Sequence, residues 1–452
     1  MKYSSRAKNR SFIQSTMMPR RAALAVLAAA ALTAPAAVPK PARAAGAMPG
    51  ELVVGYRDGH ERVLHSADPA AAIARLRARP GVVYAVPNVV AHASQLPLPD
   101  DPGRGTQPGG WQEVQWNFLG TGFGIDAPTA WQHAAAAGHP GAAGVTVAVL
   151  DTGVAYKNAG RYRRSPDLDA ARFVRGFDFV RHGASALDRN GHGTHVASTI
   201  AEATNNGIAL TGLAYNARIM PVRVLDSQGE GDAATIARGV RFAARRGAQV
   251  INLSLEFSTD VGASEIPELL DALEYAHRRG ALVVAASGNE AHRSVAYPAR
   301  ARHVISVGAT TIHGCLSDFS NDGRGLDLVA PGGGADAEIP DDPNCKPTEP
   351  PGPDIFQMTF LGTSAGRFGM PSGYEGTSMA VPHVAATAAL IIASRVLGPH
   401  PTPDQLEARL KQTATDLGPP GYDTRYGAGL INAGRATDPS IAPAGTAVRS
   451  SG

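Results

Sequence analysis

Lysine is scarce in this 452-residue chain: six of its 42 basic residues, with arginine supplying the rest. The formal charge is only +3, and no Lys/Arg-dense run occurs in the body. That excludes the basic footprint of a nucleic-acid-binding protein. Long apolar runs are equally few. The run from Ala22 to Leu32 is interrupted soon after by Pro35 and is too short to span a bilayer. No later segment reads as a span, so a stable membrane anchor is not expected. Cysteine is limited to Cys315 and Cys345. What is present is apolar bulk: hydrophobic residues make up 44%, enough for a sizeable core, and the length allows two to three domains.

The N-terminus reads as an export signal. Arg20 and Arg21 precede the apolar run, and Ala42-Arg43-Ala44 is a cleavage site of the expected kind. The basic stretch before it is long, so translation starting at Met17 or Met18, or a twin-arginine signal, stays open beside a start at Met1. An uncleaved anchor is the alternative. In an exported protein the two cysteines are expected to pair, with two free thiols as the other possibility. A bridge closing that 30-residue loop would stabilise by roughly 3–4 kcal/mol on the chain-entropy model.

A small segment follows, about 46 to 93. Glu51–Tyr56 and Val82–Val86 read as strands. Asp68-Pro69 opens a helix over Ala70–Arg79, stopped by Pro80-Gly81. So small a unit has little core of its own. Leu96 to Gly110 is rich in Pro, Gly and Asp and reads as an exposed linker. From Trp111 strands and helices alternate. Val145–Leu150, Ile219–Leu225, Val250–Leu255, Leu282–Ala286 and Val304–Val307 are continuous apolar runs, as for strands buried on both faces. Asp232–Arg246 and Ser264–Arg279 read as helices, each with basic residues in the last turn and glycine just after. The pattern predicts an α/β domain around a mainly parallel sheet. Residues 331–373 break it and read as a long surface loop. Ser378–Val396 is a long apolar helix, and Pro403–Gln412 a shorter one capped by Thr402. The tail from Asp438 reads as disordered.

Three islands stand out: VAVLDTGV around Asp151, NGHGTHVAS around His192 and EGTSMAVPH around Ser378. They supply a carboxylate, an imidazole and a hydroxyl, the parts that activate a serine nucleophile. They lie 41 and 186 residues apart, so only a fold can join them. Asp151 and Asn289 each follow a predicted strand, where functional groups gather in parallel sheets. His192 precedes a helical run over Val196–Ala203, and Ser378 opens the long apolar helix. A general esterase of the α/β-hydrolase kind is excluded, because it needs G-x-S-x-G and the order Ser, acid, His. A catalytically silent binding protein on the same scaffold is the competing reading.

These motifs resemble the subtilisin-like serine protease family, the subtilases. The residues that carry the resemblance are Asp151-Thr152-Gly153, His192 to Ala197, Ala286-Ser287-Gly288-Asn289 and Gly376 to His383. It covers roughly 110–437. It implies a three-layer α/β fold with a mainly parallel central sheet, preceded by a small α+β prodomain. The implied divisions are a signal peptide over 1–44, an inhibitory propeptide over 45–95, a linker over 96–110, a catalytic domain over 111–437 and a tail over 438–452. Asp151, His192 and Ser378 are then the triad, with Asn289 and the Ser378 N–H as oxyanion donors. Gly193 and Gly376 are expected to let backbone approach substrate. His195 and His383 are expected to be structural, and Met379 to be exposed to oxidants.

By the same resemblance, Ser254, Leu255 and the residues after them edge the substrate pocket, and Ala296 is its floor. The family usually has glycine after that leucine; here Glu256 follows, which either favours basic side chains or points to water. A structural calcium is implied at Asp167 in Pro166-Asp167-Leu168, with Asn206, Ile208 and Leu210 from the loop after the His192 helix. A polar loop without metal is the alternative. The whole implies a secreted endopeptidase, extracellular or periplasmic, acting as a monomer on protein and peptide substrates. Its own propeptide would inhibit it until cleavage between His92 and Asp101.

Overall fold

A computed structural model describes residues 47–89, 98–168, 172–362 and 364–444. The expected export signal, most of the expected cleavage window and the last eight residues lie outside the described residues. The chain divides into two compact units, Met1–Ser94 and Gln95–Gly452.

The first unit is an antiparallel sheet with one helix. Strands β1 (Ala47–Tyr56), β2 (Glu61–His65) and β3 (Val82–Val89) lie in the order β2-β1-β3. Helix α1 (Pro69–Arg77) starts where the sequence places it. The Asp68 carboxylate accepts from Ala71 N, and Pro69 takes the first helical position. Among the described residues its buried hydrophobic cluster is Leu52, Val54 and Ala85, with Ile73 and Leu76 packed beside them. That core is as small as the sequence suggests.

The second unit contains α2 (Ala127–Ala136), β4 (Thr146–Asp151), β5 (Arg172–Phe173), β6 (Phe177–Asp178), α3 (His192–Ala201) and β7 (Arg218–Arg223). Then follow α4 (Ala233–Arg245), β8 (Val250–Leu253), α5 (Pro267–Arg278), β9 (Leu282–Ala286), β10 (Val304–Thr310) and β11 (Leu328–Pro331). The short strands β12 (Thr359–Phe360) and β13 (Phe368–Gly369) and the helices α6 (Thr377–Ser394), α7 (Pro403–Thr413) and α8 (Ala433–Thr437) complete it. The main sheet runs β11-β10-β9-β8-β4-β7-β5, with β6 also on β7, and all its pairings are parallel. Alternate residues of β4 feed two cores. Val147 and Val149 pack on the face with α3 and α6, Ala148 and Leu150 on the face with α4 and α5. This is why the strand reads as an unbroken apolar run. Helix α6 is long and apolar enough to cross a membrane, contrary to the expectation that no later segment qualifies. Its apolar residues are instead buried in the core.

Three stretches differ from their sequence reading. The linker expected over 96–110 is part of the second unit from Leu98 onward. Asp101 is buried and accepts from Asn205 N and Asn206 N, and Trp111 Nε1 donates to the Pro99 carbonyl at 2.8 Å. The surface loop expected over 331–373 is buried from Ile355 to Phe360, apart from a half-buried Phe356. There Ser198 Oγ donates to the Met358 carbonyl and Thr359 Oγ1 to the Gly191 carbonyl. The tail is held beyond Asp438 because buried Arg409 donates to the carbonyls of Ala436, Asp438 and Ile441. Cys315 and Cys345 form a disulfide that ties the 331–373 stretch to the turn after β10.

Candidate active site

The functional side chains come from the carboxyl edge of the sheet and two helix starts. Asp151 is the last residue of β4, and Asn289 lies three residues past β9. His192 is the first residue of α3 rather than a loop residue before it, and Ser378 is the second of α6. A cleft of about 560 Å³ is lined by His192, Ser254, Leu255, Glu256, Asn289 and Ser378, among others.

Asp151 is fully buried behind His192. The His192 Nδ1–H reaches Asp151 Oδ1 at 2.8 Å and Oδ2 at 3.0 Å. Burial pulls the imidazole pKa down, but the charge and hydrogen bond of Asp151 outweigh it, helped by Asp188 and Glu256, and the net shift is upward. Gly193 makes the approach possible. A Cβ there would stand 2.2 Å from the Gly153 carbonyl oxygen and 2.9 Å from Asp151 Oδ1. Its role is therefore room for the acid, not room for substrate.

Asp188, which the sequence reading missed, fixes this loop. Its carboxylate accepts from Thr152 Oγ1, Asn190 N, Gly191 N, Thr194 N and Thr194 Oγ1, at 2.5–3.0 Å. Thr152 Oγ1 in turn accepts from Gly193 N at 3.0 Å. The only local signal was an aspartate four residues before His192 in a turn-forming Asp-Arg-Asn-Gly stretch.

On the other wall, Asn289 Oδ1 accepts from Thr377 N at 2.8 Å and Thr377 Oγ1 at 3.0 Å. That fixes the amide orientation. Its Nδ2 donates to Glu256 Oε1 at 2.9 Å. Ser378 Oγ donates to the Ser254 carbonyl at 3.3 Å, and among the described residues it makes no hydrogen bond to the His192 ring. Gly376 precedes α6 at φ 145°, a left-handed conformation that favours glycine. The Ser378 N–H lies in the first helical turn, where N–H groups have no intrahelical partner.

Other expected residues fall elsewhere. Ala296 is fully buried, its N–H donating to the Ser287 carbonyl, and it does not line the cleft. Met379 is buried rather than open to oxidants, at 2% exposure. His195 and His383 sit in the core. His195 Nε2 donates to the Ile355 carbonyl, and burial lowers its pKa to about 3. His383 Nδ1 donates to the Met379 carbonyl, and burial lowers its pKa to about 4.

The expected calcium loop is compact. Asp167 is buried, accepting from Asn206 Nδ2 at 2.8 Å and Leu210 N at 3.2 Å. The Asn206 side-chain Oδ1 accepts from Ile208 N at 2.8 Å. Asp101, from the stretch misread as a linker, holds Thr204, Asn205 and Asn206. Burial raises Asp167 to about 7 and raises Asp101 and Glu202 as well, with no cationic side chain among the causes. Glu202 Oε2 is buried without a partner. Three buried carboxylates with no cationic side chain to balance them form a donor set that fits a hard cation such as calcium.

Comparison with known proteins gives the family. The subtilase family model matches residues 142–429. An alkaline protease of Alkalihalobacillus alcalophilus is 40% identical over 294 residues, which cover 65% of this chain and 64% of that protein. Subtilisin Savinase of Lederbergia lenta is 39% identical over 294 residues, covering 65% of this chain and 91% of Savinase. This chain thus spans just under two-thirds of the first relative's length and nine-tenths of the second's. Among solved structures, a protease of Pseudoalteromonas arctica is similar with a TM-score of 0.59 and 30% identity, covering 75% of this chain and 98% of that one. With a family match over more than half its length and the family's architecture, the chain belongs to the subtilase family of serine endopeptidases.

Proposed function

We propose that this chain is a secreted endopeptidase, made as a self-processing zymogen, that cleaves peptide bonds through a Ser378 acyl-enzyme. The carrying observation is the paired approach of His192 Nδ1 to both Asp151 oxygens, in a cleft that also holds Ser378 and Asn289. Ser378 Oγ leaves the Ser254 carbonyl and attacks the scissile carbonyl while His192 Nε2 takes its proton. Asp151 holds the tautomer and stabilises the imidazolium. Asn289 Nδ2 and the Ser378 N–H bind the oxyanion. His192 then protonates the departing amine. Water, deprotonated by His192, releases the acid and restores Ser378.

Segment 45–95 is proposed as the inhibitory propeptide and 1–44 as the export signal. Protein and peptide substrates are the intended partners of a monomeric enzyme, without nucleic acid or a membrane anchor. Asp167, Asn206, Ile208 and Leu210, joined by Asp101, are proposed to hold a structural calcium ion. The ion would neutralise the buried carboxylates and take no part in acyl transfer. Expression of Ser378→Ala tests the proteolytic reading: purified mutant should keep its prosegment, whereas the parent chain loses it. Mutant that matures by itself would contradict the reading.

A further inference from the structure

Glu256 occupies the amide donor that the proposed reaction needs for its oxyanion. Its Oε1 accepts from Asn289 Nδ2 at 2.9 Å. The amide cannot turn away, because Thr377 holds its oxygen through two bonds. The backbone around Glu256 is equally fixed. Leu255 is buried, and Phe257 N donates to the Tyr297 carbonyl at 2.8 Å. Movement is therefore left to the Glu256 side chain.

The surroundings of that carboxylate point to a cation. Among the described residues its side-chain hydrogen-bond partner is neutral Asn289, and no Arg or Lys pairs with it. Burial and nearby Glu290 both disfavour its charge, while His192 and the Asn289 bond favour it. The cleft lining includes two carboxylates, Glu230 and Glu256, and no lysine or arginine. A positively charged substrate side chain entering here meets uncompensated acid on the wall beside Ser378.

We propose that Glu256 is a specificity-determining residue that favours lysine or arginine on the acyl side of the scissile bond. The cationic side chain pairs with the Glu256 carboxylate and draws it off Asn289 Nδ2. The amide is thereby freed for the oxyanion as the substrate seats. An uncharged side chain leaves Glu256 on Asn289, so binding proceeds but the transition state is poorly stabilised. The preference should then appear in kcat more than in KM, because the gain is realised at the oxyanion. This inference rests on the acyl-transfer reading of Ser378.

The test uses the processed enzyme with two peptide series that differ only in the residue before the scissile bond, arginine or phenylalanine. Active sites are counted in every sample by fluorophosphonate labelling, which separates misfolding from lost preference. The expected result is an arginine preference of about tenfold or more in kcat/KM, the scale of one desolvated charge pair. Glu256→Gln should reduce it at least several-fold, by removing the charge while keeping an acceptor for Asn289. Glu256→Gly should raise kcat on the phenylalanine peptide, because Asn289 is then unencumbered. Wild-type enzyme that prefers phenylalanine, or an arginine preference unchanged in both variants, overturns the inference and leaves the protease reading standing. Absence of both cleavage and labelling in wild-type enzyme would instead overturn the acyl-transfer reading.

Discussion

Ser254 and Ser378 are bonded to each other in both directions. Ser254 Oγ donates to the Ser378 carbonyl at 2.8 Å, and Ser378 Oγ donates to the Ser254 carbonyl at 3.3 Å. The nucleophile is thus parked against the pocket wall, and the wall is braced by the turn that carries it. Asn252 Nδ2 extends the brace, donating to Ser254 Oγ at 3.0 Å. Ser254→Ala removes two of these bonds and leaves the Asn252 amide unsatisfied. It should lower kcat/KM by about tenfold, the scale of one or two such bonds. Steady-state kinetics corrected for active-site titre checks this.

Asp188 is a positioning residue, since it touches the His192 loop and not the reacting atoms. Asp188→Ala strips five hydrogen bonds from residues 152–194. Stability should fall by about 3 kcal/mol or more, because several buried donors lose their acceptor. Turnover of the folded fraction should fall further than KM changes, as His192 loses its fixed placement. Denaturant unfolding and kinetics on the same sample separate the two effects.

How much of this was legible in the sequence depended on range. The buried strands showed because both faces of β4 are covered, so no polar residue interrupts the run. The small helix α1 showed because its cap is three residues long and local. Strand β2 did not, because Glu61–His65 is an edge with exposed or half-buried residues and no apolar face to declare it. Asp101 did not, because the bonds that bury it reach residues more than 100 positions away. Pro and Gly around it read as linker. The Asp151, His192 and Ser378 islands were legible as chemistry. The grip of Ser254 on Ser378 and of Glu256 on Asn289 was not, since each joins segments whose sequences are independent.

The pH response follows from the His192 shift. The base works only when neutral, and its pKa is raised above the ordinary value of about 6.5. Hence kcat/KM should rise with pH through a midpoint above that value. Asp151→Asn should move the midpoint down, because the carboxylate charge holds it up. It should also cut kcat by about four orders of magnitude through loss of the correct tautomer. The same shift has a stability sign. A histidine with a raised folded pKa contributes stability below about pH 6.5, and that contribution fades as pH rises through the folded value. A pH series of kcat/KM and of unfolding midpoints measures both.

Calcium removal gives a separate outcome. Chelation should lower the thermal midpoint, by about 3–4 kcal/mol in stability when calcium had stood at 100 to 1,000 times its dissociation constant. Asp167→Ala should be insensitive to chelator and resemble the chelated parent. Calorimetric scans with and without chelator check this, and an unchanged midpoint in the parent would remove the ion from the 204–210 loop.

Fluorophosphonate labelling of the processed protein, followed by mapping of the adduct, goes to the nucleophile itself. One adduct on Ser378 is expected, formed fastest at pH values where His192 is neutral and absent from Ser378→Ala. Labelling of another serine, or equal labelling of the parent and Ser378→Ala, would contradict catalysis through the Asp151, His192 and Ser378 group.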